Sequence, residues 1–131
     1  MKSALRIAAA VIGLGAVLSG APAFAQDKEP AMTGKTAMGP VLTDAKGMTL
    51  YVFDKDGAGK SACNGPCATN WPPLMASASA KPMGKYSVVT RDDGSRQWAY
   101  NGKPLYSWAK DAKPGDTTGD GVNNVWHVAK P

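Results

Sequence analysis

The stretch Leu50-Tyr51-Val52-Phe53-Asp54-Lys55-Asp56 returns 55 residues later as Leu105-Tyr106-Ser107-Trp108-Ala109-Lys110-Asp111. The same offset aligns Gly47 with Gly102 and Trp71 with Trp126. Chance readily matches a dipeptide. It seldom matches this many positions at one offset without a gap. The chain therefore carries an internal repeat of about 50 residues, present twice. Solenoids need three or more units to bury a continuous core, so two copies imply a closed pseudo-twofold domain.

Each copy reads as β. Side chains alternate across a strand, so Tyr51, Phe53 and Lys55 share one face and Leu50, Val52 and Asp54 the other. Tyr106, Trp108 and Lys110 fall on the matching face of the second copy. Asp56-Gly57 is a turn signal, and Asp111 opens a Pro- and Gly-rich loop. Further strands are expected over Val41 to Thr43, Tyr86 to Arg91, Arg96 to Tyr100 and Val125 to Ala129. Asn101-Gly102 is a strong hairpin signal. No helical stripe is present after the N-terminal segment, though Cys67 to Trp71 suits one helical turn before Pro72-Pro73. The expected fold is all-β: a small domain of two pseudo-symmetric antiparallel β repeats, a compact sandwich or barrel-like meander. Its expected span is 40–131, with repeat one at 40–75 and repeat two at 95–130. The segment 26–39 is small, polar and Pro-containing, and is expected to be a flexible tail.

Residues 1–25 have the pattern of a secretory signal peptide. Lys2 and Arg6 precede an apolar run from Ile7 to Leu18, and Ala23-Phe24-Ala25 is an A-x-A cleavage site. The run is shorter than the ~20 residues that span a bilayer, so cleavage after Ala25 is expected, leaving no membrane span. No Cys follows the run to take a lipid anchor. Of 15 basic and 10 acidic residues, Lys2 and Arg6 leave with the leader, and the net charge falls from +5 to +3. No basic cluster of the kind that neutralises a phosphate backbone remains, which excludes nucleic acid as an expected partner. The two cysteines, Cys63 and Cys67, flank the turn sequence Asn64-Gly65-Pro66. An exported chain meets oxidising conditions, so they are expected to form a disulfide.

The repeated side chains admit two readings each. Tyr51, Phe53, Trp71, Tyr106, Trp108 and Trp126 could stack on a ligand, but in a chain poor in Leu and Ile they are needed as core. Asp56 and Asp111 could be metal ligands or bases. As lone carboxylates at strand ends they are expected instead to accept backbone N–H groups of the following loop. Asp116-x-x-x-Asp120-Gly121 matches a calcium loop only in part, with Thr118 where Asp or Asn is expected and His127 where Glu is required. His127 is the only histidine. With Cys63 and Cys67 it makes an alternative Cys₂His copper or zinc site, against the favoured reading in which no metal or other cofactor is held. No Ser/His/Asp elbow, H-E-x-x-H or phosphate-binding glycine loop occurs, so no enzyme is expected.

The motifs Tyr51-Val52-Phe53-Asp54-Lys55-Asp56 and Tyr106-Ser107-Trp108-Ala109-Lys110-Asp111 resemble a bacterial secreted and lipoprotein repeat family marked by Y-x-[FWY]-x-x-D. The resemblance extends through C-N-G-P-C-A-x-N-W-P-P-L, from Cys63 to Leu74, and P-G-D-T-x-G-x-G-V-x-x-V-W-H, from Pro114 to His127. It implies an envelope protein built from tandem copies of the motif, and it implies no reaction. Without a lipobox Cys, a soluble periplasmic or secreted form is expected. The resulting expectation is a non-enzymatic accessory or binding module with an envelope ligand or protein partner. The alternative is a periplasmic copper-binding protein using Cys63, Cys67 and His127.

Overall fold

The computed structural model describes residues 29–131. The leader and its cleavage site lie outside the described residues. Strands β1 (Met32–Thr36) and β2 (Gly39–Thr43) form an antiparallel hairpin. Next come β3 (Tyr51–Phe53), the short helix α1 (Pro66–Asn70) and β4 (Met75–Ala76). Then follow β5 (Tyr86–Thr90), β6 (Arg96–Tyr100), β7 (Lys103–Pro104), a 3₁₀ turn at Val122–Asn124 and β8 (Trp126–Val128). Strand β3 pairs with β8 from the far end of the chain. Strand β6 pairs with β5 on one edge and with β4 and then β7 on the other. All pairings are antiparallel, and the sheets among the described residues do not close into a barrel.

The duplication is visible as a pseudo-twofold exchange of hydrogen bonds. Tyr51 N–H donates to Tyr106 C=O at 2.7 Å, and Tyr106 N–H donates back to Tyr51 C=O at 3.0 Å. Around this pair the bonds recur at the sequence offset. Ala129 N–H donates to Leu50 C=O (2.8 Å) as Leu74 N–H does to Leu105 C=O (2.9 Å). Asp54 N–H donates to Val125 C=O (2.8 Å) as Ala109 N–H does to Asn70 C=O (2.9 Å). Each copy thus completes its sheet with the tail of the other.

Alternation along the two motifs divides the interior. Tyr51, Tyr106, Trp71, Trp126, Val41, Cys63 and Val128 form one core. Leu50, Leu105, Leu42, Tyr86, Ala31 and Ala129 form a second on the opposite face. Gly47 (φ 85°) and Gly102 (φ 82°) occupy the same left-handed position before each motif, where a Cβ would be strained. Asn101 (φ 51°) with Gly102 makes the expected tight hairpin between β6 and β7.

Two expectations need correction. The segment 26–39, read as a flexible tail, contains β1 within its described part. MTGKT shows no apolar alternation because β1 leaves its side chains largely exposed and is held by its ladder to β2. A Cβ on Gly34 would lie 2.8 Å from Thr43 Cγ2, so the residue that reads as a strand breaker permits the close packing of this hairpin. LYSWAKD also has less strand than LYVFDKD: only Tyr106 bridges, to Tyr51 and to Pro73. Phe53, Val52 and Tyr51 pair with Trp126, His127 and Val128, whereas the second copy meets Pro72 and Pro73 at the last two places. Proline has no N–H, so that ladder keeps only bonds such as Ser107 N–H to Pro72 C=O at 2.8 Å.

Candidate functional site

The motif tyrosines and aspartates latch the two copies together. Tyr51 Oη donates to Asp111 Oδ2 at 2.6 Å, and Tyr106 Oη donates to Asp56 Oδ2 at 2.7 Å. Each tyrosine thus bonds the aspartate of the opposite copy. The other carboxylate oxygen holds the loop that follows its own motif. Asp111 Oδ1 accepts Thr118 N–H (3.0 Å) and Thr118 Oγ1–H (2.6 Å), and Asp56 Oδ1 accepts Ala62 N–H (2.7 Å). Burial, reinforced by the carboxylate each phenol touches, pushes both tyrosines far above their usual range, so both remain proton donors.

Burial also raises the Asp56 carboxyl, against the opposing pull of Ala62 N–H, the Tyr106 hydroxyl and the Arg91 charge. A carboxyl raised on folding favours the folded state most below its ordinary value of 3.8, and that contribution is lost as pH rises through the folded value. Relative to Asp56→Asn, which has no charge to bury, wild-type protein is therefore expected to gain stability as pH falls through the carboxylate range. Paired denaturant melts at several pH values check this; a wild-type advantage that shrinks on acidification contradicts it.

Between the latches lies a stack of four rings in the order Phe53, Trp126, Trp71, Trp108. The centroid separations are 4.2, 3.7 and 3.9 Å, and the central tryptophans are parallel to within 2°. Tyr51 meets Trp71 edge-on at 5.4 Å, as Tyr106 meets Trp126 at 5.1 Å. Gly119 closes this layer, because a Cβ there would lie 2.8 Å from Trp71 Cη2 and 3.0 Å from Trp108 Cγ. Gly119→Ala is expected to cost about 1–3 kcal/mol by overpacking and to weaken the near-ultraviolet circular dichroism of the stack. An unchanged melt and spectrum would contradict this packing.

The residues that differ between the copies form separate features. Arg91, where the first copy has Thr36, is buried, and among the described residues it has no ion-pair partner. It donates to Gln97 Oε1 (2.8 Å), Ser61 Oγ (3.0 Å) and Cys63 C=O (2.6 Å). Ser61 Oγ also accepts Cys63 N–H, which fills its lone pairs and directs its own proton to Tyr106 Oη, 2.6 Å away. The chain Arg91–Ser61–Tyr106–Asp56 therefore links a buried cation to one latch. Comparing the copies position by position is the signal that finds Arg91, which the motif alone does not reveal.

Cys63 and Cys67 are joined in a disulfide, and no free cysteine remains. Thiol titration of denatured, unreduced protein is expected to find none; two reactive thiols per chain would contradict the bridge. The bond engages both sulfurs of the alternative Cys₂His site. His127 instead pairs with Asp54, Nε2 to Oδ2 at 2.8 Å, with both side chains about half exposed. Among the described residues no group of three or more His, Cys, Asp or Glu is placed to hold a metal. Asp116 and Asp120 do not converge: Asp116 accepts Ala112 and Lys113 N–H groups and the Lys113 ammonium, and Asp120 accepts Val128 N–H.

Asp54, His127, Lys103 and Asn101 stand where the other copy has Ala109, Pro72, Met48 and Lys46. These four line a cavity of about 340 Å³ together with Tyr100 and Lys130. A cavity of about 250 Å³ adjoins it, sharing Asp54, Asn101 and Lys103. A further cavity, about 530 Å³, lies between the hairpins and is lined by Leu42, Met83 and Tyr86.

No curated protein and no solved structure matches the chain. A family described as a secreted repeat of unknown function matches it twice, over residues 32–75 and 87–130. These spans are longer than the repeats read from the motif, because each includes the hairpin that precedes it, and they stand at the offset that relates Tyr51 to Tyr106. With both copies matched over more than half its length, the chain belongs to this family of secreted repeats.

Proposed function

We propose that the protein is a non-enzymatic accessory or binding module of the bacterial envelope, released in soluble form into the periplasm after cleavage near Ala25. One observation carries this reading. The side chains that repeat are used inside the domain, in the latches and the stack, while polar residues present in one copy only gather at an open cavity. Symmetric residues hold the fold; the asymmetric set Asp54, Asn101, Lys103, His127 and Lys130 is left to meet a partner. Its mixed charge suits a polar ligand bearing both an acceptor and a cationic or hydroxyl group. Acyl transfer by a hydroxyl or thiol nucleophile has no support here, since no Ser, Thr or Cys lines the cavity beside His127 and Asp54.

The test is a set of amide-resolved NMR titrations with soluble peptidoglycan fragments, anionic lipid vesicles and copper salts. Saturable shifts centred on Asn101, Lys103 and His127, lost in Lys103→Ala/His127→Ala with an unchanged melt, are the expected result. Chemical conversion of any probe, or saturable binding that survives the double substitution, would overturn the reading.

A further inference from the structure

We propose that the aromatic stack is a conduit for single oxidising equivalents, with Tyr51 and Tyr106 as their resting places. The observations are geometric. Trp108, Trp71 and Trp126 are in successive van der Waals contact, with centroids 3.9 and 3.7 Å apart. Trp71 and Trp126 are buried, whereas Trp108 is only partly covered and gives the path its opening at the surface. Beyond Trp126 the stack ends in Phe53, whose ring is far harder to oxidise than an indole and closes that end. Each buried tryptophan has one tyrosine edge against it, and each of those phenols already donates to a carboxylate.

A high-potential one-electron oxidant at the surface, such as a metal-centred or oxygen-derived radical oxidant, removes one electron from Trp108. The Lys110 ammonium lies 5.9 Å from the centre of that ring. A cation over an indole face favours the neutral ring over its radical cation, so the positive hole is driven inward. Trp71 reduces Trp108, and the parallel pair Trp71 and Trp126 shares the hole. Tyr51 then gives one electron to Trp71 and its hydroxyl proton to Asp111 Oδ2, or Tyr106 gives one electron to Trp126 and its proton to Asp56 Oδ2. The net change is one neutral phenoxyl radical, one protonated aspartic acid and one reduced oxidant. The net charge of the pair rises from −1 to 0, so no cation is left in the core, because the phenol proton neutralises the carboxylate. The duplication supplies two such resting places per chain, both shielded from solvent.

Tyr86 and Tyr100 are the two remaining tyrosines and belong to the opposite core, outside the stack. This separation makes the test decisive. Photogenerated tris(bipyridine)ruthenium(III) serves as the oxidant for the purified chain, followed by transient absorption and electron paramagnetic resonance. A tryptophan radical that decays into a phenoxyl radical is expected. Tyr86→Phe/Tyr100→Phe leaves only the two latch tyrosines and is expected to keep the phenoxyl signal. Trp108→Phe added to that double variant, at a partly exposed end of the stack, is expected to lose most of it while melting near its parent. Loss of the phenoxyl signal in Tyr86→Phe/Tyr100→Phe, or an unchanged yield on adding Trp108→Phe, would overturn the proposal.

Discussion

Trp71→Ala is expected to lower stability by about 3–5 kcal/mol, the cost of emptying a large aromatic site in a core. In a domain of about 100 residues that corresponds to a fall in Tm on the order of 20 °C. The size of the effect follows from position. Trp71 touches Trp126 and Trp108 face to face and Tyr51 edge-on, so its removal takes a contact from three rings at once. Trp126→Ala is expected to match it, because Trp126 makes the equivalent contacts with Trp71, Phe53 and Tyr106. Trp98→Ala provides the comparison, since Trp98 is partly exposed at the edge of the second core and its loss should cost clearly less. Thermal melts followed in the far ultraviolet read all three. Equal effects at Trp98 and Trp71 would contradict a core centred on the stack.

The second large effect is expected at Asp111. Asp111→Ala strands the Tyr51 hydroxyl inside the core and releases Thr118 N–H and Oγ1. A buried donor left without an acceptor costs roughly 1–3 kcal/mol, and the partly exposed Thr118 groups recover some bonding from water. A total of about 2–4 kcal/mol is expected, with Asn better tolerated than Ala because it keeps one oxygen. Asp56→Ala should cost less, because it releases one loop donor where Asp111→Ala releases two, and that donor, the Ala62 N–H, lies at the surface. Chelator should leave wild-type melting unchanged. If the order is reversed, or if either Ala variant melts like wild type, the latch does not hold the copies as described.

The fold was legible in the sequence where residues recur. The offset between Tyr51 and Tyr106 foretold two β units, and the alternation of Leu50, Tyr51 and Val52 foretold which face each side chain takes. The structural reading of Asp56 and Asp111 was also legible in part: both accept backbone N–H groups from the loops that follow them. What a linear motif could not carry is the exchange. Nothing in Y-x-[FWY]-x-x-D says that its tyrosine bonds the aspartate of the other copy. That depends on the antiparallel approach of Tyr51 to Tyr106, a contact between residues far apart in sequence. The strand Met32–Thr36 was illegible for another reason. It contributes few buried side chains, so its burial pattern carries no periodic signal, and only its ladder to Gly39–Thr43 defines it. The cavity residues were equally hidden. Asp54 and His127 are 73 positions apart and meet because β3 and β8 place Val52 opposite His127.

The exchange also explains why a chain this short keeps two copies. Each copy lacks an acceptor for its tyrosine, a parallel partner for its tryptophan and the last strand beside its motif. The other copy supplies all three. One copy alone would expose an unfilled aromatic layer and an unpaired strand edge. The pair satisfies both, and it leaves the positions that differ between copies free to diverge without disturbing the latch.

A double-mutant cycle tests the exchange most directly. Tyr51→Phe and Asp111→Asn belong to different copies, and Tyr51→Phe and Asp56→Asn to the same one. Denaturant melts of the singles and both doubles give two coupling energies. A coupling of about 1 kcal/mol or more is expected for Tyr51 with Asp111, and additivity within about 0.5 kcal/mol for Tyr51 with Asp56. Coupling within a copy with additivity across copies would contradict it.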